Sequence, residues 1–86
     1  MNLNNVINQI TEKAVELTKG DFPGKENFRI EEFGIGGKGL FKAIDKETGE
    51  VKGTGHSPEE ALYYTNSKYF FDLAMANNKH LIESNS

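Results

Sequence analysis

Gly53-Thr54-Gly55-His56-Ser57-Pro58-Glu59-Glu60-Ala61 joins the end of a strand to the start of a helix, and each residue type has a place in that join. Ser57 reads as the N-cap, its hydroxyl oxygen placed to accept the amide of Glu60. Pro58 occupies the first helical position, where no amide donor is needed. Glu60, at the third position, completes a capping box, and Glu59 with Glu60 sets negative charge on the positive end of the helix dipole. A helix therefore starts here and a strand ends here, which fixes the phase of everything on either side.

Downstream, the pattern predicts one helix from Ser57 to about Asn77. Ala61, Leu62, Thr65, Tyr69, Leu73 and Ala76 form one apolar stripe, while Tyr63 with Phe70 and Tyr64 with Phe71 spread over the rest of the circumference. At least Tyr64 or Tyr69 should be buried, yet the rings outnumber what one sheet face can hide. Either Leu81-Ile82 folds back on them, a second chain covers them, or some are ordinary exposed aromatics. Upstream, Val51 to Gly55 and Leu40 to Ile44 read as strands joined through Asp45-Lys46-Glu47-Thr48-Gly49-Glu50, a turn-rich hairpin connection. A third strand alternates Phe28, Ile30 and Glu32 with Arg29, Glu31 and Phe33. Before it, Asp21-Phe22-Pro23-Gly24 is a turn, and Leu3, Val6, Ile7, Ile10, Ala14 and Leu17 make the stripe of an amphipathic helix that Gly20 stops. The order helix, strand, strand, strand, helix predicts an α+β fold. Its three-stranded antiparallel sheet has one face in water and both helices on the other, in two layers. Residues 1–78 form the single α-β-β-β-α domain and 79–86 a flexible C-terminal tail.

That element order, with a strand ending Gly-x-Gly-x-Ser ahead of the last helix, resembles the double-stranded-RNA-binding domain, whose junction pattern is Gly-x-Gly-x-Ser-Lys-Lys-x-Ala-Lys. Gly53, Gly55, Ser57 and Ala61 carry the likeness, which spans roughly Asn5 to Leu73. The family's three phosphate-binding lysines fall on Pro58, Glu59 and Leu62, and its Gly-Pro-x-His loop is replaced by Gly34-Ile35-Gly36-Gly37-Lys38-Gly39. The resemblance thus implies the fold, and its departures point away from the usual RNA contacts. The stretch Gly55 to Leu62 also looks like the strand-helix junction of HicB-type antitoxins, partners of RNA-cleaving toxins.

Composition narrows the chemistry. The chain of 86 residues has no cysteine, so it offers no disulfide, thiol nucleophile or thiolate metal site. A cytoplasmic setting is expected, since no apolar run approaches the roughly 20 residues a bilayer needs and the N-terminus lacks a signal-peptide pattern. The net charge of −3 argues against non-specific nucleic-acid binding. His56 and His80 lack the partners of a zinc site, Ser57 is explained as a cap, and Glu59 and Glu60 point about 100° apart on their helix. Gly34 to Gly39 fits G-x-G-x-x-G, but a strand follows where a dinucleotide site needs a helix. No catalytic, cofactor or metal residue is therefore assigned, and no enzyme or small-molecule substrate.

The sequence instead predicts a non-enzymatic binding module: a dimeric protein-interaction regulator or inhibitor, whose small size and lysine- and asparagine-rich composition suggest a phage or mobile element. Leu62, Tyr63 and Phe70 on the last helix, with Ile35 and Lys38 in the glycine loop, are its expected contact residues. The alternative is an RNA-binding protein on the same fold, using Lys25, Lys38, Lys42, Lys46 and Lys52, acting on a ribonucleoprotein such as a toxin-antitoxin complex.

Overall fold

The structure, a computed structural model, describes residues 3–83. Helix α1 (Leu3–Leu17) leads through a short 3-10 turn (Lys25–Asn27) to strand β1 (Phe28–Phe33). A second such turn (Ile35–Gly37) precedes β2 (Leu40–Asp45) and β3 (Val51–Gly55), and helices α2 (Pro58–Thr65), α3 (Ser67–Asn77) and α4 (Lys79–Glu83) follow. The strands form an antiparallel sheet in the order β1-β2-β3. The α+β class and the element order are those the sequence predicts.

Local chemistry sets each join. Pro23 and Gly24 fill the centre of a turn closed by the Lys25 amide on the Phe22 carbonyl at 3.1 Å, with Gly24 at φ 87° as a type II turn requires. Asp45 Oδ1 accepts the amides of Glu47 and Thr48 at 2.8 and 3.2 Å, folding the β2–β3 hairpin. At the opening junction, Ser57 Oγ accepts the Glu60 amide at 3.0 Å, as expected of the cap. The reciprocal bond differs by one residue: Glu60 Oε1 takes the amide of His56, at 3.3 Å, instead of that of Ser57.

Packing departs from the expected two helices on one sheet face. Only α2 lies on β2 and β3, while α1 rests chiefly on α3 and to a lesser extent on α2. The cause is the approach of β3 to α2. A Cβ on Gly53 would press into the Ala61 carbonyl oxygen and stand 2.8 Å from the Thr65 amide, and one on Gly55 would meet Glu60 Cβ at 2.7 Å. With bare backbone on β3, α2 sinks onto the sheet. Ala43, Ala61 and Leu62 then fill the thin space between them, with Phe22, Phe28 and Phe41 at its margin. The α1 stripe of Val6, Ile10 and Ala14 finds its partners elsewhere, in Tyr63, Phe70 and Ala74. Phe22 packs against both clusters and joins them.

The predicted single helix from Ser57 to Asn77 is two. Asn66, at φ −158° and ψ 64°, leaves the helical region and ends α2, its amide bonding the Tyr63 carbonyl. The chain restarts at Ser67 with a new phase, so the expected stripe does not continue past Thr65. Phe70 and Ala74 turn inward, and Tyr69, Leu73 and Ala76 are exposed. Asn66 and Ser67 are residue types that favour caps over helix interiors, which is the physical reason for the break.

Residues Lys79–Glu83, which the sequence reading places in the C-terminal tail, form α4. The fold-back of Leu81-Ile82 lies outside the described side chains.

The glycine contacts make a direct test. Gly53→Ala is expected to cost about 3 kcal/mol in urea unfolding, since the clash is with backbone that cannot swing aside. Gly20→Ala, where the nearest neighbour of a Cβ is 3.9 Å away, should shift stability by no more than about 0.5 kcal/mol.

Candidate protein-contact surface

The elbow between α2 and α3 gathers the aromatic residues into a connected series. Tyr64 meets Tyr63 edge-on at 4.9 Å between centroids, and Tyr63 lies 6.4 Å from Phe70. Phe70 meets Tyr69 at 5.2 Å and Phe22 at 4.9 Å, both edge-on. Two of its three ends reach the surface, Tyr64 at 52 % and Tyr69 at 40 % exposed, and the third, Phe22, is half-buried. The middle of the series does not reach the surface.

Tyr63 (6 %), Phe70 (1 %) and Leu62 (7 %) lie inside the subunit. The prediction that they face a second chain is corrected: the break at Asn66 sends Phe70 into the α1–α3 core, and the depth of α2 on the sheet buries Leu62. The expectation that Tyr64 or Tyr69 is buried is overturned as well. Aromatic surface does remain outside, on neighbouring residues.

Tyr69 stands at an open pocket of about 310 Å³, walled by Phe22, Phe28 and Phe70, with Asn27, Thr65 and Asn66 as polar points. The pocket exists because two structural breaks meet there, the Pro23-Gly24 turn and the Asn66 elbow. No acidic or basic side chain lines it. Its size is at the low end of ligand pockets, roughly 300–1,000 Å³.

Ile35 and Lys38 sit as the sequence predicts in the exposed β1–β2 loop, and Ile35 is 99 % exposed. The amide of Gly39 ties that loop to Glu32 Oε2 at 3.2 Å.

The lysines assigned to RNA are largely engaged within the chain. Lys25 Nζ donates to the carbonyls of Thr18, Lys19 and Gly20 at 3.0, 3.3 and 2.9 Å, closing the C-terminal end of α1 where a cation is favoured. These bonds engage its ammonium group within the chain, in the turn that follows α1. Lys52 bonds Glu50 at 2.7 Å, which raises its pKa through that hydrogen bond and the carboxylate's charge. Lys42 lies over the Phe33 ring at 5.3 Å and opposite Glu31 in the sheet, and Lys46 shares a shallow hollow with Glu26, Asp45 and Glu47. Acidic residues thus interrupt the basic strip across the sheet.

Sequence reasoning passed over Thr18. It is the one buried polar side chain among the described residues, donating to the Val15 carbonyl at 2.7 Å and lying 3.2 Å from that of Glu59. This bond ties the end of α1 to the first turn of α2. A threonine just past the last apolar residue of a helix was the only signal for it.

Among the described residues, no group of three metal-ligating side chains gathers and no helix is long and apolar enough to cross a membrane. Comparison with family models, with curated proteins and with solved structures finds no match to this chain.

Two outcomes test this account of the site. Burial first, and the neighbouring Tyr64 phenol second, raise the pKa of Tyr63 above 10.0. The folded state then holds that proton more tightly than the unfolded state. Its contribution to stability is present below about pH 10 and is lost as pH rises through the folded value. Tyr63→Phe should therefore flatten the alkaline fall in urea-unfolding stability and remove the most alkaline step of the phenolate absorbance titration. Lys25→Met should lower stability by about 1 kcal/mol, with loss of hydrogen-exchange protection confined to the last turn of α1.

Proposed function

We propose that this chain is a non-enzymatic protein-binding module that engages another protein through the α2–α3 elbow. The supporting observation is the juxtaposition of Tyr69, exposed at the lip, with the pocket walled by the rings of Phe22, Phe28 and Phe70 and edged by Asn27, Thr65 and Asn66. A stiff aromatic ring beside a pre-formed apolar pocket is the arrangement of interface hot spots, where much area is buried with little loss of rotamer freedom. Tyr64 and Ile35 offer further apolar surface. The order of elements and the glycine-serine junction keep the likeness to the double-stranded-RNA-binding domain. On this reading that scaffold serves protein recognition, as a regulator or inhibitor carried by a phage or other mobile element. RNA binding receives less support, because Lys25 caps a helix and Lys42, Lys46 and Lys52 have acidic neighbours.

The test is a photo-crosslinking residue placed at position 69, compared with one at position 13 on α1, expressed in the native host. One protein should be trapped repeatedly at 69 and not at 13, and trapping should survive ribonuclease. Tyr69→Ala, with crosslinking moved to position 66, should weaken capture about tenfold or more. Labelling no stronger at 69 than at 13 would overturn the reading, and capture abolished by ribonuclease would favour the RNA alternative.

A further inference from the structure

Strand β1 is an outer strand of the sheet, hydrogen-bonded to β2. Its ladder runs without a bulge through six pairs, Phe28↔Asp45 to Phe33↔Leu40. It contains no proline or bulge, and its charges, Arg29, Glu31 and Glu32, are of both signs. Helix α2 lies over β2 and β3, so the rim at β1 is left open, and Ile30, mid-strand, is 37 % exposed.

The phase of the ladder decides which groups face outward. The Lys46 amide bonds the Asn27 carbonyl at 2.9 Å, and these two residues extend the β1–β2 register by one position. In an antiparallel pair the bonded positions alternate, so Arg29, Glu31 and Phe33 turn their backbone groups toward β2. The backbone groups of Phe28, Ile30 and Glu32 turn to the open side. The Phe28 amide is already taken by the Lys25 carbonyl. What remains outward is the Phe28 carbonyl and both groups of Ile30 and Glu32.

We propose that β1 pairs with β1 of a second copy of this chain, antiparallel, about a twofold axis through Ile30. A twofold axis perpendicular to the sheet keeps each side chain on its own face, so a pairing must centre on a residue. Centred on Ile30, the Ile30 amides and carbonyls bond reciprocally and each Glu32 amide meets the other copy's Phe28 carbonyl, about four bonds in all. Side chains then match. Ile30 faces Ile30, Glu32 faces Phe28, and Arg29 faces Glu31 in both directions. Within one chain Arg29 already holds Glu31 at 2.9 Å, so the dimer would close an alternating cluster of two guanidinium and two carboxylate groups. A centre on Glu31 opposes two carboxylates, and a centre on Arg29 opposes two guanidinium groups; charge selects Ile30. The partner is thus a second copy, and the contact meets the elbow pocket only at Phe28. Such a short edge implies a weak dimer, with Kd on the order of tens to hundreds of micromolar.

Sedimentation of the full chain up to about 1 mM, with amide hydrogen exchange at both ends of the range, reads the proposal. Expected are a monomer–dimer equilibrium and slower exchange of the Ile30 and Glu32 amides at high concentration, while those of Arg29 and Glu31 are protected throughout. Glu31→Arg should weaken association about tenfold or more by opposing like charges, and Arg29→Glu combined with Glu31→Arg should restore it. Both sites are exposed, and circular dichroism checks that each variant folds. A monomer at every concentration overturns the proposal. So does a dimer whose Ile30 and Glu32 amides exchange freely, or one that the charge exchange fails to rescue.

Discussion

The distance between the backbones of β3 and α2 governs this molecule. Gly53 and Gly55 let the strand run against the first two turns of α2 with no side chain between, and Ala61 and Ala43 keep the remaining gap thin. A helix that close to a sheet leaves no room for a second helix beside it over the same strands. The α1 stripe is still apolar and still needs cover, so it packs on α3 and Tyr63. The fold is therefore drawn out, 43 × 29 × 17 Å, with two small cores in place of one. Phe22 belongs to both, which makes the turn before β1 a structural bridge as well as a connection.

A second constraint follows from the first. Once α2 is pinned, α1 can be covered only if the chain changes direction after Thr65, and Asn66 supplies that change. The cost is a broken helix, whose ends are held by the Asn66 amide on the Tyr63 carbonyl and the Thr65 hydroxyl on the Leu62 carbonyl. The gain is that Phe70 and Ala74 reach α1. The same turn leaves Tyr69 facing outward beside a pocket, so the exposed aromatic surface is a consequence of how the two cores are joined.

How much of this was legible in the sequence depended on whether the signal was local. The Ser57 cap, the Asp45 turn and the Pro23-Gly24 turn are each set by residues within a few positions, and all were readable, as were the three strands and α1. The burial of Tyr63 and Phe70 was not. Seven-residue spacing on an assumed continuous helix placed them on one outward face, and a single non-helical residue between them invalidates that geometry. The polar run Thr65-Asn66-Ser67 carried the warning, but helical periodicity on either side outweighed it. The internal role of Lys25 was hidden for a different reason. A lysine's charge is visible in a sequence, whereas the three carbonyls it satisfies belong to the end of a helix several residues earlier.

The junction also separates two properties that one motif combines. Of the four residues that carry the likeness to the RNA-binding pattern, Gly53 and Gly55 permit close approach, Ala61 fills the gap and Ser57 caps the helix. All four act on the fold. The positions where that pattern sets lysines are occupied here by Pro58, Glu59 and Leu62. Pro58 begins the helix, the Glu59 carbonyl lies 3.2 Å from the Thr18 hydroxyl, and Leu62 is buried in the sheet-side core. A lysine in the last position would need to carry its charge out of an apolar core or pay several kcal/mol to leave it there. In this chain that position serves packing. A strand-helix junction of this kind specifies how two elements meet, and what the assembled surface recognises is written in other residues.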